Sequence, residues 1–323
     1  MCDKLKFMFE RLDSRFDVLT EVLEAVRLGG ALSSRLQLSA PWALRYGKET
    51  GHRAGFHVVV AGRCWIRLDG DGPPVALEEG DLVLLPHGTG HQLYDHPDTP
   101  AVEVADRVGD LAPGERVPLP SGDGAPATLL CGSYGFAADG ANPLLRGLPD
   151  LLHLPGDQTG GEPLEAAVRL LAAEASGVTP GSALVVDRLV DLLFVYALRA
   201  WLMRHGEARA HSWFGALQDP VVGPAVWAVH DAPAQAWTVE SLARCSGLSR
   251  AAFARRFTQA VGEPPLAYVA RWRMTVAAGL LARGERIAKV AHQVGYDNAF
   301  AFAKAFKRVR GVAPGRHRLR GAS

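Results

Sequence analysis

The chain has 323 residues, 48% of them hydrophobic and 21% charged, which suits two domains with ordinary cores and excludes a disordered chain. Four scattered cysteines (Cys2, Cys64, Cys131, Cys245) exclude a disulfide framework and a Cys-x-x-Cys zinc site, and no apolar run approaches a membrane span. The net charge of +1 hides an asymmetry: residues 1–212 hold 19 Lys and Arg against 28 Asp and Glu, and residues 213–323 hold 16 against 6, giving −9 and +10. A basic third beside an acidic remainder is the footprint of a nucleic-acid-binding domain joined to one that does not bind it. The N-terminus lacks an apolar leader ending in small residues, so the expected location is cytoplasmic.

In chain order, Leu5 to Leu28 place Leu12, Phe16, Leu19, Val22, Leu23 and Val26 at helical intervals, with Gly29-Gly30 as the stop. A helical extension over residues 1–30 is expected. From Leu32 to Phe136 the pattern changes to short β-type runs, "FHVVVAGRCWIRL", "DLVLLP" and "ATLLCGSYGF", separated by Gly, Pro and Asp. These predict a sandwich or barrel over 31–140. "NPLLRGLPDLLHL" reads as a Pro-punctuated connector. It opens a segment over 141–212 that carries two helices, near 162–176 and 181–205. The second helix is apolar around much of its circumference (Leu184, Leu189, Leu192, Leu193, Leu198, Trp201). Such a helix must be buried, within its domain or against another copy.

The last part, 213–323, says the same thing twice. Ala243 is followed by Gly247, Phe253, Phe257 and Gly262; Ala291 is followed by Gly295, Phe302, Phe306 and Gly311. Each series reads as a short helix, a tight turn and a second helix with two phenylalanines one turn apart, which is a helix-turn-helix. Ser249 and Asn298 sit where the second helices begin, and both are good N-caps. A helical stretch from Pro265 to Arg283 joins the units, with Leu266, Val269, Met274, Ala277, Leu280 and Leu281 as its apolar face.

Base reading needs side chains from the first turns of each second helix. With the phenylalanines inward, Arg250, Ala251, Ala254, Arg255 and Thr258 point outward in the first unit. In the second unit Ala299, Phe300, Ala303, Lys304 and Lys307 do so. Arg255 suits a bidentate contact to guanine and Arg250 a guanine or phosphate contact. Phe300 would either touch a thymine methyl or cap the local core. Many outward alanines imply few hydrogen bonds to bases and more reliance on phosphates and DNA shape. Arg271 and Arg273 on the joining helix are phosphate or structural partners.

The text "SLARCSGLSRAAFARRFTQAVGEPPLAYVARWRM" followed by "IAKVAHQVGYDNAFAFAKAFKRVRGVAPGRHR" resembles the DNA-binding domain of AraC/XylS-type transcription regulators over about the last hundred residues. The resemblance implies an all-α double helix-turn-helix that binds double-stranded DNA through Ser249, Arg250, Ala251, Arg255, Asn298, Phe300, Lys304 and Lys307. It also implies contact with RNA polymerase and pairing into a homodimer through the apolar helix near Val185 to Trp201.

A second resemblance lies upstream. Gly80, Pro86, Gly88 and His91 match the spacing of the second cupin motif, with Asp95 where that motif usually has Asn; Gly51, His57 and Gly70 match the frame of the first. The region is similar to the cupin-like sensor barrel at the front of many AraC-type regulators. Metal-binding cupins use a His-x-His pair and a Glu from the first motif plus a His from the second. Here His57 and His91 remain, while Val59 and Arg63 occupy the other positions. Cys131 is the candidate third member: His57, His91 and Cys131 are expected to form an effector site or to hold a divalent metal such as zinc. Otherwise His57 and His91 are hydrogen-bonded pocket residues.

The fold class that follows is α+β multidomain: a cupin-like β-barrel with flanking helices and a C-terminal all-α domain. The function that follows is that of a DNA-binding regulator modulated by an effector, a metal or a redox signal. The competing class is a cupin-type metalloenzyme with an accessory DNA-binding domain. A third is a constitutive DNA-bending protein with a solidly packed barrel.

Overall fold

The computed structural model describes residues 29–48, 53–70, 72–104, 122–136, 148–156, 162–177, 179–204 and 213–320. The helix expected over Leu5–Leu28 lies outside them. The described chain forms two compact units, one from residues 29–136 and 148–204, the other from 213–320.

Among its described residues the first unit holds ten strands: β1 (Gly29–Ser39), β2 (Ala43–Tyr46), β3 (Arg53–Ala61), β4 (Cys64–Leu68), β5 (Val75–Leu77), β6 (Leu82–Leu85), β7 (His91–Tyr94), β8 (Val102–Glu103), β9 (Pro126–Gly135) and β10 (Leu152–Leu154). They form two five-stranded sheets, β1-β9-β3-β6-β10 and β5-β4-β7-β2-β8. Alternate residues of both sheets point into one core, where Leu36, Val59, Val83 and Leu129 meet Leu44, Ile66, Leu77 and Leu93. The opposite face of the first sheet is also buried, beneath α2 (Ser182–Arg204), on which α1 (Glu162–Glu174) packs. Tyr134 links strand and helix there, with its ring 4.9 Å from that of Phe194 and its hydroxyl donating to the Val190 carbonyl at 3.0 Å. Burial on both faces explains why β3, β6 and β9 read as nearly continuous apolar runs.

Three features go beyond the sequence reading. Gly29 and Gly30 open β1, and a Cβ on Gly30 would lie 2.5 Å from Val190 Cγ1, so glycine is there to let α2 approach. The supposed connector contributes β10, which pairs with β6. Its His153 also bonds Asp81 at 2.7 Å, so this stretch and both helices join the sheets in one unit. Finally, α2 divides its apolar surface. Leu189, Val190, Leu193, Phe194, Leu198 and Trp201 are buried, whereas Leu184, Val185, Leu192 and Met203 are exposed.

The second unit is helical: α3 (Trp213–Gln218), α4 (Gly223–Asp231), α5 (Val239–Cys245), α6 (Arg250–Val261), α7 (Pro265–Ala282), α8 (Ile287–Gln293), α9 (Ala299–Arg310) and α10 (Pro314–Arg320). The joining helix α7 is buried over more of its surface than one apolar face predicts. Tyr268 and Trp272 join Val269, Met274 and Leu281 inside, and Leu266 stays exposed.

Candidate nucleic-acid interface and a buried histidine cluster

The two helix-turn-helix units are α5–α6 and α8–α9. Ala243 and Ala291 are buried where the short helices approach their partners. Gly247 and Gly295 take φ of 64° and 77°, a left-handed conformation that a side chain disfavours. The Ser249 hydroxyl then accepts from the Ala252 amide at 3.4 Å, and the Asn298 carbonyl oxygen accepts from the Ala301 amide at 2.8 Å. These bonds satisfy amides that the first helical turn leaves free. Phe253 and Phe257 are fully buried on α6, as are Phe302 and Phe306 on α9. Left-handed Gly262 and Gly311 end the two helices.

With the phenylalanines inward, the named readers fall on the opposite faces. Arg250, Ala251 and Arg255 are exposed on α6; Phe300, Lys304 and Lys307 are exposed on α9. Phe300 is 82% exposed and so does not cap the local core. Arg250 reaches back to Glu240 on α5, Nε to Oε1 at 2.8 Å. Arg255, Lys304 and Lys307 form no ion pair among the described residues. Both arginines of α7 are structural: Arg271 pairs with Glu263, and Arg273 donates to the carbonyls of Pro233 and Gln235, each at 2.7 Å.

In the first unit, strand register brings the predicted trio together. His57 lies opposite Cys131 in one sheet, and His91 lies opposite Tyr46 in the other. The two imidazoles meet across the core, Nε2 to Nε2 at 2.7 Å. Tyr46 stacks on His91, with centroids 4.9 Å apart and planes 5° apart, and its hydroxyl donates to Cys131 Sγ at 3.5 Å. The tautomers follow from the outer bond. His91 Nδ1 lies 2.9 Å from the Thr89 carbonyl and must donate to it, which leaves His91 Nε2 as acceptor and His57 Nε2 as donor. His57 Nδ1 is then a bare, buried lone pair without a hydrogen-bond partner.

The expected metal set is not assembled in this form. Among the described residues, no group of three or more His, Cys, Asp or Glu is placed to hold a metal ion. The histidine nitrogens that would face a metal bond each other instead. Burial pushes His91 down to about 4, and burial followed by the neighbouring His91 pushes His57 well below the ordinary value. Both are neutral at pH 7. Their folded pKa values lie below the unfolded one, so the unfolded chain takes up these protons first. Stability is therefore lost as the pH falls from about 6.5 toward about 4. Burial also pushes the thiols of Cys64 and Cys131 up to about 12. A protonated, buried thiol is a poor nucleophile and a poor oxidant sensor, which weighs against a redox signal at Cys131.

Sequence reasoning missed several contributors. Asp219 accepts from the amides of Val221 and Val222 at 2.7 and 2.9 Å and pairs with Arg256 on α6 at 3.1 Å. Its Asp-Pro dipeptide was a visible turn signal. Tyr46 carried no signal, because its role depends on the pairing of β2 with β7. His230, which bonds the Tyr268 hydroxyl at 2.6 Å and lies against Trp272, was likewise unreadable from spacing.

Comparison with known proteins agrees with this architecture. A family profile described as a cupin matches residues 17–203, and one described as a helix-turn-helix domain matches 242–320. The chain is 34% identical to a putative AraC-like transcription regulator of Streptomyces lividans, over 94% of this chain and 98% of that protein. It is 29% identical to the HTH-type transcriptional regulator MtrA of Neisseria gonorrhoeae, over 94% of this chain and 99% of that one. Among solved structures, the C-terminal domain of the response regulator AraT from Geobacillus stearothermophilus is 31% identical, covering 31% of this chain and 85% of that chain, at a TM-score of 0.30.

Proposed function

The chain belongs to the AraC-like transcription regulators, with a cupin domain ahead of a helix-turn-helix domain, and from that premise we propose that it binds duplex DNA sequence-specifically through both α6 and α9. The observation that carries this reading is the pair of capped helices whose buried phenylalanines turn Arg255 on one, and Phe300, Lys304 and Lys307 on the other, to solvent. Arg255 reads a guanine edge, Phe300 packs on a thymine methyl, and Arg250, Lys304 and Lys307 hold phosphates. Ser249, Asn298 and Ala251 bring the backbone at the two helix starts close to the DNA. Binding of the full chain to duplex DNA should weaken steeply with added salt, because several phosphates are neutralised together. An affinity that does not change with salt would contradict the reading.

The working form is a homodimer paired through the outer stripe of α2, where Leu184 is 62% and Leu192 46% exposed. Leu192→Glu should sediment as a folded monomer, whereas Leu193, being buried on the sheet side, is no test of pairing. The first unit modulates DNA affinity or contact with RNA polymerase, and a small organic effector acts at the cluster of Tyr46, His57, His91 and Cys131. The support is the bare His57 Nδ1 beside three other polar side chains in an otherwise apolar core. An effector shifts the protein only through different affinities for two conformations. The double variant His57→Ala, His91→Ala should therefore bind DNA but lose the transcriptional response to the inducing condition; a response that survives removes this site.

A further inference from the structure

The two helix-turn-helix units are joined in sequence by α7 and then by Arg283–Arg286, where Gly284 takes a left-handed φ of 87°. A single helix followed by a glycine turn does not by itself fix the angle between α6 and α9. A second connection does. The segment Ala232–Trp237, which leads into the N-cap of α5, is folded on itself: the Gln235 amide donates to the Ala232 carbonyl at 3.1 Å, and Trp237 Nε1 donates to the same carbonyl at 2.9 Å. It is a stiff forward extension of the first unit. It presses on the turn of the second, since a Cβ on Gly295 would lie 2.4 Å from the Ala234 carbonyl oxygen. Arg273 spans the seam, with Nε donating to Pro233 O at 2.7 Å, Nη2 to Gln235 O at 2.7 Å and Nη1 to Gly295 O at 3.5 Å. Its guanidinium also lies over the Tyr296 ring, 5.8 Å from the centroid. Three carbonyls from two units converge on one planar fork, an arrangement that a lysine ammonium cannot reproduce.

We propose that Arg273 is a positioning residue that locks the Pro233–Gln235 turn against Gly295 and so fixes the spacing between the two DNA subsites read by one chain. The proposal rests on the reading that both α6 and α9 enter DNA. Each base pair inserted between two subsites turns one of them away by about a tenth of a helical turn, so a rigid pair of units must discriminate spacing and a loosened pair must not.

The test starts from a duplex selected by the full wild-type chain out of a random-sequence library. Variants of that duplex have one or two base pairs inserted or deleted between the two protected segments, and a further duplex retains one segment only. Wild type should lose about tenfold or more in affinity with one inserted base pair, within the range of a mispositioned contact. In Arg273→Lys and Arg273→Met that loss should shrink to about threefold, while affinity for the single segment stays within about twofold of wild type. Gly295→Ala attacks the same seam from its other side and should loosen spacing in the same way. Wild type that tolerates the insertion overturns the proposal, and so do variants that keep wild-type spacing discrimination. Equal losses on the single segment and the pair, or failure of all three variants to fold, would make the contact a folding element and also overturn it. Failure of wild type to select any duplex would be a different result: it removes the DNA-binding reading, and the positioning role with it.

Discussion

The two helix-turn-helix units are alike inside and unlike outside. Both bury an Ala–Phe–Phe set, turn at a left-handed glycine, cap the second helix with a side-chain oxygen and end it at another left-handed glycine. Their solvent faces share little. Two of the arginines on α6 are held by acids, Arg250 by Glu240 and Arg256 by Asp219. The cations Lys304, Lys307 and Arg308 on α9 have no ion-pair partner among the described residues, and Phe300 stands exposed beside them. Packing fixes the repeated positions, because a helical hairpin closes only with small and aromatic residues at set places. The faces that meet a partner are free to differ, so one scaffold presents two chemistries.

The strongest way to break the comparison is to hollow out each unit in turn. Phe253→Ala and Phe302→Ala remove equivalent, fully buried rings and should each cost about 3–5 kcal/mol, read from denaturant unfolding. A cost under about 1 kcal/mol in one unit alone would mean that its core collapses around the gap and that the two interiors are not equivalent.

The outer faces should separate where the inner ones agree. Arg255→Ala should lose about 1–3 kcal/mol of discrimination between the selected duplex and random DNA, as expected of a bidentate base contact. Lys307→Ala should weaken binding to both duplexes alike and lower the salt slope by about one. Equal behaviour of the two variants would remove the division between Arg255 as a base reader and Lys307 as a phosphate clamp.

How far this arrangement was legible from sequence follows the same division. The doubled Ala–Gly–Phe–Phe–Gly series announced both units, their turns and their caps, because these are local requirements of a helical hairpin. His57 and His91 follow from motif spacing and Cys131 from being a soft ligand on another strand-like run; pairing of β3 with β9 sets Cys131 opposite His57, and facing of the two sheets brings His91 to His57. Contacts made across long sequence separations were not legible. Arg273 reaches carbonyls about forty residues back and about twenty ahead, with nothing in its neighbourhood to mark them. The part Gly30 plays in admitting α2 was not legible either, because a glycine that lets a helix approach has no mark of its own in sequence. The apolar circumference of α2 hid which side meets the sheet. Only the packed unit separates Leu193 from Leu192.

A smaller effect sharpens the likeness of the caps. Asn298 accepts from its amide at 2.8 Å and Ser249 from its own at 3.4 Å. Removing a capping oxygen costs about 0.5–2 kcal/mol, and the shorter bond should lie toward the upper end of that range. Asn298→Ala should therefore lower the thermal midpoint more than Ser249→Ala does. The reverse order would place the Ser249 hydroxyl in a better bond in solution than its distance indicates.

The smallest expected effect carries the first unit's face toward the second's. Glu240 occupies the first turn of α5 and holds Arg250 at the start of α6, so a carboxylate stands beside the surface proposed to meet phosphates. Glu240→Gln keeps the side-chain shape and removes the charge. Two consequences follow: one repulsion with the DNA backbone disappears, and Arg250 becomes free, as Lys304 and Lys307 already are. Affinity for DNA of any sequence should rise about three- to tenfold at low salt, and the salt dependence should steepen by about one counterion. Thermal stability should hardly move, because the pair is solvent-exposed and screened. Unchanged affinity with an unchanged salt slope would place Arg250 off the DNA path. A fall in affinity would have the opposite meaning: Glu240 would be holding Arg250 in the pose it uses on DNA, and the ion pair would be part of the interface.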